Sequence, residues 1–475
     1  MLRLTKIICT LGPTSCTPAQ VAALARGGMN IARINLAHGT WPEHRKTIRI
    51  VKTLNRKLAA SGKLPSCVGI LLDTRGAEVR TGIVSEVISI RKGELVIFSP
   101  HALPKEKRRV IIVNHKTFAK DARQAEQILL DNGKMSFELV AARADGSVVA
   151  RARQKGVVGS RRHVNLPGAN LDMPSLTKDD WESIANAANE GVDFLGLSFI
   201  RKASEIEDVR AWLARRKKSI CLIAKIETRQ GLQNLQEIIE VSDAVMVARG
   251  DLGAEIPFEQ LPVAQNEIVL RSRAAGKPVI IATHMLESMV ENPIPTRAEV
   301  TDIAHAAMTS SDMTMLSGET ASGAHPLLAL DAMDRVLRET EAHLAAGFRM
   351  LDATIRNNRD AQAKAVVTDA IASSASAIAV VTRTGRTARE IARFRPHMPI
   401  IAFAPNRRVQ RALQLSFGVI PLVTPFKSDP EATLSAGVAL ARKAGLLRKG
   451  SEIALVSDAK AHDKYVSTIQ IRKIA

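Results

Sequence analysis

The sequence predicts an α/β protein: a (β/α)8 barrel carrying an inserted β-rich domain, followed by a separate C-terminal α/β domain. Three observations carry this expectation. Short β-branched runs alternate with amphipathic stretches, as in a parallel sheet wound with helices. The alternation breaks once, over residues 83–172, where short alternating segments and glycine turns replace long helical periods. The chain has 475 residues, enough for about three domains at roughly 150 residues each.

Eight runs read as barrel strands: Thr5–Cys9, Ile31–Asn35, Val68–Leu72, Val192–Leu197, Ile220–Lys225, Ala244–Ala248, Pro278–Ala282 and Asp312–Leu316. Amphipathic stretches fill most of the gaps: Ala19–Arg26, Glu43–Leu58, Ala203–Arg215, Leu232–Val241, Gln260–Ala275 and Arg297–Met308. Eight parallel strands with intervening helices fit a closed barrel. Within the insert, Glu94–Phe98, Arg109–Val113 and Ser147–Ala152 read as strands, and Asn165–Gly168 is a turn-rich return. After Glu341 a third unit begins, with helices at Ala361–Ser376 and Thr387–Phe394 and strands at Ala377–Thr382, Pro399–Phe403 and Gly418–Leu422. The expected domains are 1–82 with 173–341, 83–172, and 342–475.

Composition narrows the function classes. Hydrophobic residues make up 46% of the chain, sufficient for large cores, yet no apolar run approaches the roughly 20 residues of a membrane span. The opening MLRLTKIICT lacks the features of a secretory signal. Cys9, Cys16, Cys67 and Cys221 form no CxxC pair, and Cys9 and Cys221 lie in apolar runs, as buried reduced thiols do. A reducing compartment, the cytoplasm, is the expectation. The net charge of +20 attracts polyanions, from nucleic acid to phosphorylated metabolites. With aromatics at 3%, base-stacking platforms are scarce. Basic clusters such as Lys105–Arg109 and Arg215–Lys218 read as solvated faces. Neither a nucleic-acid nor a membrane partner is expected.

Barrel chemistry sits at the C-terminal ends of the strands, where the βα loops converge. Polar residues collect there: Arg33 and Asn35; Asp73, Thr74 and Arg75; Ser198 and Arg201; Lys225 and Glu227; Arg249 and Asp251; Thr283 and His284; Ser317 and Glu319. Residues two apart on a strand share a face, so Arg33 with Asn35, and Lys225 with Glu227, project together. Lys225 and Glu227 could neutralise each other as a structural ion pair. Joined by Asp251 from the next strand, they could instead hold a hard divalent cation through carboxylate oxygens, with the lysine free to face a phosphoryl group. Phosphoryl transfer depends on positioning and charge stabilisation, and this set of groups suits it. VARGDLGA at Val247–Ala254 is either an ordinary βα turn or one whose glycines let backbone N–H groups approach an anion.

At these residues the chain strongly resembles the pyruvate kinase family. The similar stretches are TKIICTLGPTS, GMNIARINLAHGT, LLDTRGAEVRTG, GSRRHVNLPG, LSFIRKASEI, IAKIET, VARGDLGAEIPFEQ, GKPVIIATHMLESM, RAEVTDIAHA and MLSGETASG, in the family's order and spacing. The likeness is weaker inside the insert and in the last quarter of the chain. The resemblance implies a catalytic barrel, an inserted β-barrel lid and a C-terminal regulatory domain. It implies transfer of the phosphoryl group of phosphoenolpyruvate to ADP, giving pyruvate and ATP in glycolysis, by a homotetramer using Mg2+ (or Mn2+) and K+.

Residue roles follow from the same resemblance. Lys225 matches the lysine that stabilises the phosphoryl group in flight, and Arg33 the arginine that grips it. Glu227 and Asp251 match the Mg2+ ligands, and Gly250 and Asp251 offer backbone N–H groups to the substrate carboxylate. Thr283 matches the threonine near the face where the enolate is protonated. Asn35, Asp73 and the Thr74 carbonyl match K+ ligands, and Asn35, His38, Arg80 and Arg162 match nucleotide contacts. Several positions depart from the family pattern. Ala37 replaces a serine that ligates K+, while Glu78, a mark of the K+-dependent members, is retained. Arg75, Ala77, Arg162 and His284 stand where Lys, Pro, Lys and Gln are common. TRTGRT, with Thr382, Thr384, Gly385, Arg386 and Thr387, resembles the family's effector-phosphate loop. SDAKAHDKY lacks the glycine-rich loop of sugar-bisphosphate-activated members, so the implied effector is a sugar monophosphate, a nucleotide, or none. Two other classes stay open at this point: a barrel aldolase or mutase acting on enolpyruvate-like substrates, and a catalytically silent nucleic-acid binder.

Overall fold

The computed structural model describes residues 2–61, 67–131, 133–171, 173–346, 355–461 and 464–474. Eight parallel strands close a barrel: β1 (Lys6–Thr10), β2 (Ile31–Asn35), β3 (Gly69–Asp73), β4 (Phe194–Leu197), β5 (Cys221–Ile226), β6 (Ala244–Ala248), β7 (Val279–Ala282) and β8 (Met313–Leu316), with β8 pairing β1. Each matches an expected run to within two residues at either end. Their alternation sorts side chains into two layers. Ile8, Ile31, Leu71, Phe194, Ile223, Met246, Ile280 and Met313 fill the interior. Their neighbours, such as Ile7, Ile70, Leu222 and Val245, pack outward against the helices. Continuing the inward parity toward the C-terminal ends carries Arg33, Asp73 and Lys225 into the barrel mouth.

Local chemistry fixes the helices. Thr177 and Asp180 form a capping box at the start of Lys178–Glu190, a helix the periodicity had not singled out, and Gly191 ends it in the left-handed region. Thr296 and Glu299 do the same for Arg297–Met308. The stretch expected as one helix at Leu232–Val241 is broken into Arg229–Gln233 and Leu235–Val241. The break falls at Asn234, whose side chain donates to the Arg201 carbonyl (2.8 Å).

The insert folds around Phe98, Phe118 and Phe137. A closed barrel was expected there. The strands instead pair as an open six-stranded sheet and a separate ribbon of Ile88–Ile90 with Gly156–Val158. The two edges of the larger sheet are joined not by a named strand but by the segment 79–82, which bridges Arg80 with His163 and Thr81 with Val113 and hydrogen-bonds to both edges. Edge strands of two and three residues, Val164–Asn165 and Val110–Ile112, are too short to carry a full ladder around.

The C-terminal unit is a five-stranded sheet, parallel except for its last strand, Lys464–Lys473, which pairs antiparallel with Glu452–Ala461. That terminal hairpin was not expected from sequence. The tip of SDAKAHDKY, His462 and Asp463, lies outside the described residues, as do Asp172 and 347–354 at the expected domain borders. The unit seals the N-terminal end of the barrel. Leu415 joins the interior cluster, Lys6 Nζ donates to the Val419 carbonyl (2.7 Å), and Arg395 grips Asp312 with two nitrogens (2.9 and 2.6 Å). The opposite, C-terminal end is left for chemistry. Cys9 is buried as expected, but Cys221 is only partly covered, because it begins β5 where the barrel floor meets this unit. No helix among the described residues is long and apolar enough to cross a membrane.

Candidate active site

Strand register builds the mouth. Thr10 lies opposite Arg33, Asn35 opposite Asp73, and Asp73 opposite Gly196. Asp73 is fully buried and acts as a hub. Its Oδ2 accepts from Arg33 Nε (2.8 Å) and lies 3.4 Å from Lys225 Nζ. Gly196 is required there, since a Cβ would stand 2.0 Å from Asp73 Oδ1. Lys225 Nζ also donates to Glu227 Oε1 (2.8 Å) and Ser198 Oγ (2.7 Å). Arg33 Nη1 donates to Thr10 Oγ1 (3.0 Å). Charge-assisted contacts of this length are the stronger class of hydrogen bond.

The electrostatics follow from burial and pairing. Burial pulls the Lys225 ammonium down, but Asp73 and Glu227 outweigh it and hold it above its ordinary value. Burial works against ionised Asp73 too, and Lys225 and Arg33 outweigh it, holding that carboxyl below the usual range. Glu227 behaves differently. Burial pushes it up to about 7; Lys225 opposes the shift and Asp251 adds to it. Asp251 is also raised, first by burial and then by Glu78 and Glu255, against Lys225. Two buried carboxyls in one mouth, both raised and Glu227 in part by Asp251, are a place where a cation is favoured. Glu227 Oε2 is pinned by the Phe199 N–H (2.7 Å), leaving Oε1 toward Lys225.

Asp73 Oδ1 is buried and has no hydrogen-bond partner among the described residues, an orphaned anionic oxygen. The Thr74 carbonyl beside it accepts from Ser198 Oγ (2.7 Å). The loop that follows is held by Asp180, whose Oδ1 accepts from the N–H groups of Arg75 (3.0 Å) and Gly76 (3.1 Å). Asn35 Oδ1 is occupied by the Ala37 N–H (3.1 Å). An oxygen with unspent lone pairs, a nearby carbonyl and a rigid loop are suited to a monovalent cation.

Across the mouth, the short helix Arg249–Glu255 starts directly after β6. The Gly250 N–H donates to Thr283 Oγ1 (2.8 Å), so in this arrangement it faces the threonine. Thr283 and His284 sit at positive φ (67° and 53°), a strained conformation for a β-branched residue. Arg249 holds that turn by donating to the Thr283 carbonyl (2.6 Å) while pairing with Asp302 (2.7 Å).

Not every polar strand end belongs to the chemistry. Arg249 and Arg201 clamp backbone, Arg201 on the Met173 carbonyl (3.2 Å). Buried Glu319 accepts from the Ser317 and Leu286 N–H groups. Asn35 and exposed His38 lie at and after the end of β2, while Arg80 and Arg162 lie at the base of the insert. There Arg80 pairs with Glu78 and donates to the Arg161 carbonyl (2.8 Å), and Arg162 is 3.6 Å from Asp131. In the C-terminal unit, Thr382 Oγ1 accepts from the Gly385 N–H (3.0 Å), and Arg386 pairs with Glu390 (2.8 Å). Thr384 is exposed and Thr387 half-buried.

Sequence reasoning missed two residues. Thr10 ends β1 with the inward parity of Ile8, which is a readable signal. His163 lies 4.0 Å from Asp251 and edge-on to Phe199, with ring centroids 6.0 Å apart. It falls within GSRRHVNLPG, but nothing local marks it.

Comparison with known proteins agrees with this geometry. A family model described as "Pyruvate kinase, barrel domain" matches residues 2–330, and one described as "Pyruvate kinase, alpha/beta domain" matches 360–472. The chain is 37% identical to plastidial pyruvate kinase 2 of Arabidopsis thaliana, over 99% of this chain and 81% of that protein. It is 36% identical to pyruvate kinase of Dictyostelium discoideum, over 95% and 90%. It is 36% identical to pyruvate kinase of Bacillus licheniformis, over 96% and 78%. With the barrel, its mouth and both matched regions in agreement, the chain belongs to the pyruvate kinase family.

Proposed function

We propose that the mouth ringed by Arg33, Asp73, Lys225, Glu227 and Asp251 moves the phosphoryl group of phosphoenolpyruvate to ADP. As a member of this family the chain is a phosphotransferase. The observation that carries the site assignment is Lys225, a buried ammonium held at once by Asp73, Glu227 and Ser198. Such a charge is fixed before substrate arrives and needs no reorganisation during transfer.

Arg33, anchored on Asp73 and Thr10, grips the phosphoryl oxygens, and Lys225 faces them as charge builds. The phosphoryl group leaves the enol oxygen for the terminal oxygen of ADP. The enolate left behind takes a proton on carbon, near Thr283, to give pyruvate. Gly250 and Asp251 present backbone N–H groups toward the substrate carboxylate, Gly250 by releasing Thr283. Glu227 and Asp251 would hold Mg2+ (or Mn2+), and Asp73, the Thr74 carbonyl and Asn35 would hold K+. When bound, these cations supply Lewis acidity and charge neutralisation to the substrate oxygens. Asn35, His38, Arg80 and Arg162 receive the nucleotide.

The proposed division is a barrel of 1–82 and 173–341, a lid of 83–172 and a regulatory unit of 342–475. Thr382, Thr384, Gly385, Arg386 and Thr387 are the proposed effector-phosphate loop. Homotetrameric assembly and a cytoplasmic location complete the proposal. The test is the steady-state rate of pyruvate formation from phosphoenolpyruvate and ADP, in K+ and in tetramethylammonium. A rate that requires K+ supports the assignment of Asp73 and Thr74 despite Ala37. Equal rates in the two salts reject it.

A further inference from the structure

One segment of the insert, residues 163–165, faces the short helix Arg249–Glu255 that carries Asp251. Asn165 Nδ2 donates to Glu255 Oε1 (2.9 Å). His163 Nδ1 stands 4.0 Å from Asp251 Oδ1. The two contacts share a spacing. Residues two apart in an extended segment point the same way, about 7 Å apart, and residues four apart on a helix share a face, about 6 Å apart. His163 and Asn165 thus meet Asp251 and Glu255 as two rungs. The His163 backbone is fixed within the insert. It bridges Arg80, its carbonyl accepts from the Asp131 N–H (2.9 Å), and the Val164 N–H donates to the Val79 carbonyl (2.8 Å). The imidazole also packs edge-on to Phe199, with ring centroids 6.0 Å apart. Phe199 sits in the left-handed region (φ 54°), and its N–H is the donor that pins Glu227 Oε2 (2.7 Å). Gly76 packs on the same phenyl ring, where a Cβ would stand 2.7 Å from Phe199 Cδ2. One side chain of the insert therefore stands against Asp251 and against the residue that holds Glu227.

We propose that His163 is a positioning residue for the divalent cation: its Nδ1–H holds one oxygen of Asp251 and leaves the other, with Glu227, to the metal. The inference rests on the assignment of Glu227 and Asp251 to that cation under the proposed function. At 4.0 Å the pair lies about 1 Å outside hydrogen-bond length, a gap that a small seating of the insert on the helix closes. A carboxylate free to turn must be ordered when a cation binds, and a cation that demands near-octahedral oxygens tolerates little misorientation. Fixing the carboxylate beforehand removes that ordering cost. Outer partners of metal ligands are worth about 10–100-fold in affinity. Arg162 precedes His163 and Arg80 bridges it, so the segment that reaches Asp251 also carries two of the proposed nucleotide contacts.

Titration of the full chain with Mn2+, read by the paramagnetic resonance of the free ion, tests this with no reliance on turnover. His163→Leu keeps an apolar body against Phe199 and loses the N–H, and its affinity for Mn2+ falls by about tenfold or more. His163→Asn, whose amide N–H takes the place of Nδ1–H, stays within about threefold of the parent. A folded His163→Leu that binds Mn2+ within about twofold of the parent overturns the proposal. Equal losses in His163→Leu and His163→Asn overturn it too, because they mark lost ring packing rather than a lost donor. Where His163→Leu fails to fold, His163→Ala gives the same comparison. The double variant Glu227→Gln, Asp251→Asn is the reference and loses Mn2+ binding. Undiminished binding in that reference rejects the carboxylate assignment of the proposed function and the role of His163 with it. Loss in the reference beside unchanged affinity in His163→Leu rejects the role of His163 alone.

Discussion

Replacing Lys225 by methionine removes one charge and nearly no volume, so it separates catalysis from packing. The ammonium makes three contacts, to Glu227 (2.8 Å), Ser198 (2.7 Å) and Asp73 (3.4 Å). Deleting one partner of a buried ion pair costs about 3–5 kcal/mol when the other charge is stranded. Here the stranding is partial. Asp73 keeps Arg33 at 2.8 Å, and Glu227, already pushed up to about 7, takes a proton readily. A loss of about 1–3 kcal/mol is expected in urea unfolding. The effect on turnover is larger. A preorganised donor facing developing charge is worth about 2.7–4 kcal/mol, and a full charge in a dry mouth lies at or beyond the upper end. The expected fall in kcat is therefore about a thousandfold, with a smaller change in KM, because the charge matters most in the transition state. The assay is pyruvate formation coupled to NADH oxidation, alongside unfolding and circular dichroism. A folded variant retaining kcat within about tenfold of the parent would refute the reasoning, since no other group on β5 could then account for the contact.

Two further predictions come from packing and from a buried base. In Gly196→Ala the new Cβ would meet Asp73 Oδ1 at 2.0 Å. Asp73 must shift away from Lys225 and Arg33, with an overpacking cost of about 1–3 kcal/mol and a kcat loss of about 10–100-fold from misplacement. Unchanged steady-state turnover would show that Asp73 does not align those two cations. Lys6, buried under the barrel on the Val419 carbonyl, has its ammonium lowered to about 7, chiefly by burial. The unfolded chain keeps this proton up to about pH 10.4, so between these values the unfolded state binds more protons and folding gains stability as pH rises. Urea unfolding of the parent relative to Lys6→Met should improve between pH 7 and pH 9.5 by several kcal/mol at most; a difference flat across that range contradicts a neutral buried amine.

The barrel was legible because its strands are buried on both faces, which makes each a short, dense β-branched run. Strand parity paired Arg33 with Asn35 and Lys225 with Glu227, and the collection of polar residues at strand ends added Asp73, without coordinates. What could not be read is what register and tertiary contact decide. Thr10 meets Arg33 only because β1 and β2 pair in that register. Arg249, Arg201 and Glu319 looked equivalent to the mouth residues in sequence, yet they hold backbone turns, a distinction set by where long side chains reach. His163 comes to Asp251 from the insert, across a long chain separation no local pattern encodes. The terminal hairpin and the open sheet of the insert were missed for a related reason: their pairing depends on edges, and edge strands carry weak periodicity.

The central claim is that Lys225, Glu227 and Asp251 act on one migrating phosphoryl group. Phosphorus NMR of phosphoenolpyruvate and ADP with Mg2+ watches that group directly. The expected record is loss of the phosphoenolpyruvate signal matched one for one by growth of the ATP γ-phosphate, and no transfer in the folded double variant Glu227→Gln, Asp251→Asn. Transfer at an undiminished rate in that variant, or phosphoenolpyruvate consumed without ATP, would contradict the account.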